Sequence, residues 1–77
     1  MKLYRIWQTV NIDYDTYDSA VVAAETPEDA QRIHPHGYIP SSGDDSWCAY
    51  DDVNVEYIGE AKPGTNRGVI VASFNAG

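Results

Sequence analysis

The chain is poor in basic residues: five lysines and arginines stand against twelve acids among 77 residues, a formal charge of −7. A field of that sign repels phosphate, so direct binding to a nucleic-acid backbone is not expected. The charge suits a partner with a basic surface, and it equally suits a small protein that only has to stay soluble. Cysteine is nearly absent. Cys48 alone excludes an intramolecular disulfide and fits a reducing cytoplasm. No apolar run reaches membrane-spanning length, and Met1–Arg5 is not followed by the apolar core of a signal peptide, so a soluble, unexported chain without membrane contact is expected. Glycine-rich phosphate loops and nucleophile elbows are missing too. Ser19, Ser41, Ser42, Ser46 and Cys48 could each meet a histidine by chance, but a chain this short has little scaffold with which to preorganise a water-excluding site. The expectation is a protein that is not an enzyme and carries no cofactor.

What is present is organised around Asp18–His36. Ala20–Ala24 is a short valine-rich apolar run, the composition of a strand buried on both faces. Thr26 is placed to cap a helix, with Pro27 at its first position and Glu28 and Asp29 at the positive end of its dipole. Ala30 and Ile33 give it one narrow apolar edge, and Pro35 should stop it by His34. So short a helix cannot stand alone in water and must lie on a sheet.

The remaining segments supply that sheet. Lys2–Ile12 alternates as a first strand, with Tyr4, Ile6, Val10 and Ile12 on the better core face, interrupted by Gln8. Leu3, Arg5, Trp7 and Thr9 fall on a face that is either covered by the helix or left open. Asn11–Asp18 is rich in turn formers and reads as a hairpin tip. Pro35–Ser46 has no period and reads as a long loop. Trp47–Tyr50 is a candidate short edge strand. Asp52–Ala61 alternates cleanly, with Val53, Val55 and Tyr57 on one face. Lys62–Gly68 is a Pro-Gly turn and Val69–Phe74 a last strand. The sum is a single α+β domain: one small antiparallel sheet of four to five strands with one short α-helix packed on it, in the order β-β-α-(β)-β-β.

Several side-chain groups invite a functional reading. Asp13, Asp15 and Asp18 resemble a calcium loop, yet the sixth and twelfth positions hold Asp18 and Ala24 where glycine and glutamate are needed. His34, His36 and Cys48, with Asp44 or Asp45, are zinc-type donors at no standard spacing; a histidine at a helix end and a buried thiol account for them better. No metal is expected. The aromatics are more informative. Trp7, Tyr14, Tyr17, Tyr38, Trp47 and Tyr50 lie partly in loop segments, where tyrosine and tryptophan act as interface anchors. Interleaved acids (Asp13, Asp15, Asp18, Asp44, Asp45, Asp51 and Asp52) would turn them into a surface for a basic, partly apolar partner, with Tyr14, Tyr17 and Trp47 as anchors. The plainer alternative is that Trp7 and Trp47 fill the core.

The opening KLYRIWQT, the run YDTYDSAVVAAE, the IHP after the helix and the ending ASFNAG resemble a group of small proteins encoded by phages and prophages. The resemblance covers most of the chain except Tyr38–Asp52 and brings no catalytic or binding residues with it. It implies a setting, a phage product acting in the host bacterial cytoplasm. Small acidic phage proteins are often inhibitors of host defence, some imitating the charge of DNA and others trapping a nucleotide signal. Three readings follow. The first is a binding protein that inhibits a bacterial antiviral system through the acidic and aromatic surface. The second is a sponge for a nucleotide signal at a subunit interface, with Arg5, Arg32, Lys62 and Arg67 meeting phosphate and Trp7 or Tyr17 stacking on a base. The third is a structural or general interaction module. A short helix leaves much of a sheet uncovered, so a homodimer is expected.

Overall fold

The computed structural model describes residues 1–37 and 46–75. Four strands, β1 (Lys2–Trp7), β2 (Thr16–Ala24), β3 (Asn54–Glu60) and β4 (Gly68–Asn75), form one antiparallel sheet in the order β3-β1-β2-β4. Among the described residues one helix, α1 (Pro27–Gln31), follows β2, and one 3-10 turn at Tyr50–Asp52 precedes β3. The arrangement is α+β with little helix. Among the described residues no helix is long and apolar enough to cross a membrane.

Strand parity decides where the core lies. Tyr4 and Ile6 of β1 stand opposite Val22 and Ala20 of β2. These four join Ala24, Ala30, Ile33, Trp47 and Val53 in one buried cluster. The valine-rich run thus lies in an inner strand, as its composition requires. It is not covered on both faces, however. Val22 is fully buried on the core side, whereas Val21 on the other side is only half-buried. That second face carries Leu3, Arg5 and Trp7, and it stays open. Ala23 is nevertheless fully buried there, because its small side chain sits between the strands that bring Leu3 and Gly68 alongside it.

The helix starts where the local chemistry places it. Thr26 Oγ1 accepts from the Asp29 amide at 3.1 Å, and Pro27 opens the first turn. It ends sooner than the expected His34: Arg32 is its C-cap, the Arg32 amide donates to the Asp29 carbonyl and the Ile33 amide to the Ala30 carbonyl, both at 3.1 Å. Pro35 excludes the helical conformation for the residue before it, and the chain leaves the helix two residues earlier still. Ile33 remains buried beyond the helix end.

Three other elements differ from their sequence patterns. β1 stops at Trp7 rather than Ile12, and Val10 and Ile12 are 61% and 72% exposed. Trp47–Tyr50 does not join the sheet. In β4 the register with β2 slips between Val21 and Val22, making Ile70 an extra residue; Val69 and Ala72 pack on the core while Ile70 is exposed. The Lys62–Thr65 turn follows its sequence closely: the Thr65 amide donates to the Lys62 carbonyl at 3.1 Å, and Gly64 takes φ 89°, the left-handed value that the position after proline in a type II turn needs.

Candidate functional site

Five of the twelve acids lie at one end of the sheet. Trp7, the last residue of β1, stands opposite Asn54, the first of β3, and opposite Ser19 near the start of β2. The β1–β2 connection and the segment leading into β3 therefore meet at the same end. Residues 8–19 and 46–54 contain Asp13, Asp15, Asp18, Asp51 and Asp52 and no lysine or arginine. All five are exposed. So are Val10, Ile12 and Tyr14, the last at 74%. Acids and apolar side chains alternate over this projecting loop.

Gln8 gives the loop its shape. Its side chain is 3% exposed, buried at a core-parity position where the strand ends. Its Nε2 donates to the carbonyls of Asn11 at 2.6 Å and Tyr17 at 3.0 Å. Its Oε1 accepts from the amides of Val10 at 2.9 Å and Asn11 at 2.7 Å. One amide thus satisfies four backbone groups that a broken strand would leave unpaired. Thr16 Oγ1 donates to the Asp13 carbonyl at 2.6 Å, and Asn11 Nδ2 donates to the Trp47 carbonyl at 3.0 Å, tying the loop to the second acidic segment. The Tyr17 amide donates to the Ser46 carbonyl at 2.7 Å. Asp15 takes φ 60°, a left-handed conformation that aspartate tolerates better than most residues.

The proposed aromatic anchors separate. Tyr14 projects as expected. Trp47 does not: it is 8% exposed and part of the core, because a four-stranded sheet with so short a helix needs a large side chain to close its covered face. Tyr17 belongs to β2 rather than to the tip and is half-buried. Its ring packs on Phe74 at 4.8 Å between centroids, and its hydroxyl lies 3.0 Å from His36 Nδ1. Asp44 and Asp45 lie outside the described residues, as does Tyr38.

The alternative cationic set is not brought together. Arg5 lies over the Trp7 ring at 4.4 Å on the open face, since both share the parity pointing away from the core. Lys62 is on the Pro-Gly turn. Arg32 and Arg67 do share a cleft of about 500 Å³ on the helix side, with Ile33, Trp47, Cys48 and Tyr50 among its walls. Each guanidinium there already has a partner. Arg32 stacks over Tyr50 at 4.7 Å, and Arg67 Nε donates to both oxygens of Asp29 at 2.9 and 2.8 Å. The Asp29 carboxyl is held below the usual range by that hydrogen bond, with burial opposing it.

Among the described residues no three His, Cys, Asp or Glu side chains converge to hold a metal ion. His34 Nδ1 accepts from the His36 amide at 3.0 Å, so that nitrogen is already engaged. The Cys48 thiol is pushed up to about 11 by burial and then by the charge of Asp52, which leaves it protonated and weakly nucleophilic at neutral pH. Gln8 stands in the sequence only as an interruption of the core face, and its role in shaping the loop is not evident there. The available signal was a long amide at core parity, three residues before an asparagine, in an otherwise apolar row.

At the level of fold the molecule is a small α+β domain built on one antiparallel sheet with an acidic end. No protein-family model matches the chain, and no match to it was found among curated proteins or solved structures.

Proposed function

We propose that this chain is a non-enzymatic, phage-encoded binding protein that inhibits a bacterial antiviral defence system by docking its acidic end on a basic, partly apolar surface of the partner. The observation that carries the binding mode is the one-signed end of the sheet. Asp13, Asp15, Asp18, Asp51 and Asp52 are exposed at the same end as exposed Val10, Ile12 and Tyr14, and residues 8–19 and 46–54 hold no lysine or arginine. A loop held in shape by Gln8 loses little conformational freedom on docking, which favours affinity. Complementary charge steers the encounter and suppresses wrong partners, while the apolar side chains supply contact area. The phage setting rests on the resemblance of the KLYRIWQT, YDTYDSAVVAAE, IHP and ASFNAG stretches.

The nucleotide-sponge reading is weaker on the same ground: its five cationic and aromatic residues are distributed over the open face, the turn and the cleft, and the Arg67 charge is balanced by Asp29. The test is expression in a bacterium that carries an antiviral system, followed by phage challenge. The chain should restore plaques. The triple change Asp13→Asn, Asp15→Asn, Asp18→Asn should abolish that effect, and binding to the captured target should fall steeply as salt rises. A triple variant as active as the parent overturns the docking surface.

A further inference from the structure

The cleft on the helix side combines apolar walls with two of the chain's five basic residues. Its volume of about 500 Å³ is that of a small-molecule site. Ile33 and Trp47 of the core and the exposed ring of Tyr50 are among its walls. These walls are held in place before anything binds. Gln31 Nε2 donates to the Tyr50 carbonyl at 2.7 Å and joins the helix to the 3-10 turn. Asn11 Nδ2 holds the Trp47 carbonyl at 3.0 Å, and Asp29 fixes Arg67. Among the described residues that line the cleft there is no aspartate or glutamate. Two acids act on it from outside the lining. Asp29 balances the charge of Arg67, and Asp52 adds to the burial that keeps the Cys48 thiol neutral.

Arg32 is the cation of this cleft that no carboxylate pairs with. Asp29 feels its charge, but both Asp29 oxygens accept from Arg67. Stacking at 4.7 Å over Tyr50 occupies only the face of the Arg32 guanidinium. Its N–H groups lie in the plane of that group and donate to no acceptor among the described residues. We propose that the cleft binds an aromatic monocarboxylate, with its ring against Trp47, Ile33 and Tyr50 and its carboxylate on the N–H groups of Arg32. The planar guanidinium fork matches a carboxylate with two parallel hydrogen bonds. Apolar walls with one well-placed polar group are the usual construction of such a site. The ligand's charge is limited by the rest of the molecule. At −7 the chain repels anions, and a phosphate monoester brings close to twice the charge of a carboxylate. The site does not rest on the defence target: Asp13, Asp15 and Asp18 are not among its walls, so their triple change to asparagine should leave it intact.

The probe is 2-naphthoate, titrated into the full chain and followed by proton–nitrogen correlation spectra and calorimetry. A dissociation constant of about 1 mM or tighter is expected for a ligand of this size. The indole N–H of Trp47 should shift, and that of Trp7, on the open face, should not. Arg32→Gln should weaken binding about tenfold, as expected for lost hydrogen bonds to a charged group. Arg32 is exposed, so the variant should keep the parent spectrum elsewhere. The uncharged 2-naphthamide tests the same contact on the unchanged protein. It should bind about tenfold more weakly than 2-naphthoate and should not distinguish Arg32→Gln from the parent. Three results would each overturn the proposal: a Trp47 signal unmoved up to about 10 mM probe, 2-naphthamide binding as tightly as 2-naphthoate, or 2-naphthyl phosphate binding more tightly than either.

Discussion

The two ends of the sheet solve the same problem by different means. At the acidic end a strand breaks off at Trp7, and a buried glutamine collects the backbone groups left behind, with four hydrogen bonds from one side chain. At the opposite end β2 turns into α1, and the work is divided among exposed groups: the Thr26 cap, the Arg67–Asp29 pair and the type II turn at Pro63–Gly64. A hydrogen bond that water could replace contributes little. A buried group left without a partner costs its full desolvation. The end that carries the proposed interface is therefore the one whose polar contacts are hard to remove. The end without it is held by contacts that are individually small.

The sharpest way to break that contrast is Gln8→Ala. It removes the donor and acceptor for four backbone groups around a side chain that is 3% exposed, and the expected loss is about 3 kcal/mol, set by unsatisfied groups rather than by lost packing. Val22→Ala is the yardstick: a fully buried side chain loses two methyl groups, for a loss of about 2 kcal/mol. Denaturant melts of both variants should place Gln8 at or above Val22. A Gln8 variant melting like the parent would mean that water serves those groups equally well, and the two ends would then be alike.

Thr26→Ala tests the other end at an intermediate scale. Its hydroxyl accepts one amide hydrogen bond at an exposed helix start, so a loss of about 1 kcal/mol is expected, from the cap alone. Thr26→Ser keeps the acceptor and should recover most of it. Should the serine variant be as damaged as the alanine one, the methyl group rather than the cap would be the stabilising feature.

The same contrast explains what was legible in the sequence. The opposite end could be read because its signals are local: threonine before proline before two acids, and Pro-Gly in a turn, each specify geometry within four residues. The central strand was legible from its run of valine and alanine. The acidic end was not. Val10 and Ile12 continue the alternation of Tyr4 and Ile6, so the pattern extends the strand past Trp7, whereas the fold ends it there. The deciding partners of Gln8 include Tyr17, nine residues on, and Asn11 reaches Trp47, thirty-six residues on. Such contacts leave no period in the chain. Trp47 was misplaced for a related reason: a tryptophan in an aperiodic segment reads as exposed until the size of the gap it fills is known. The exposure of Asp13 and Asp15 on the β1–β2 connection follows from their charge, whereas Asp18 lies in β2, exposed as the extra residue where the ladder with β4 slips. That Asp51 and Asp52 share their end of the sheet follows only from the pairing of β3 with β1.

The smallest expected effect is that of the exposed pair, and its pH dependence identifies it. The hydrogen bond from Arg67 is the main cause of the lowered Asp29 pKa, with the arginine charge adding to it and burial opposing it. Arg67 itself is raised and stays charged throughout. A carboxyl whose pKa is lower folded than unfolded binds fewer protons in the folded state. Its contribution is therefore complete above the unfolded value and is lost as pH falls through the folded one. The unfolded reference here is 3.8. The side chains of Arg67 and Asp29 are 49% and 30% exposed, which limits the contribution to about 0.5 kcal/mol at low salt. Arg67→Ala should thus melt slightly below the parent at neutral pH, and the gap should close as pH falls below that reference. Added salt should close it as well. In an Asp29→Asn background the arginine change should have no pH-dependent effect over that range. A gap that persisted in acid, or survived the asparagine change, would assign the loss to the arginine stem packing over the cleft, and the opposite end would then be held by apolar contact after all.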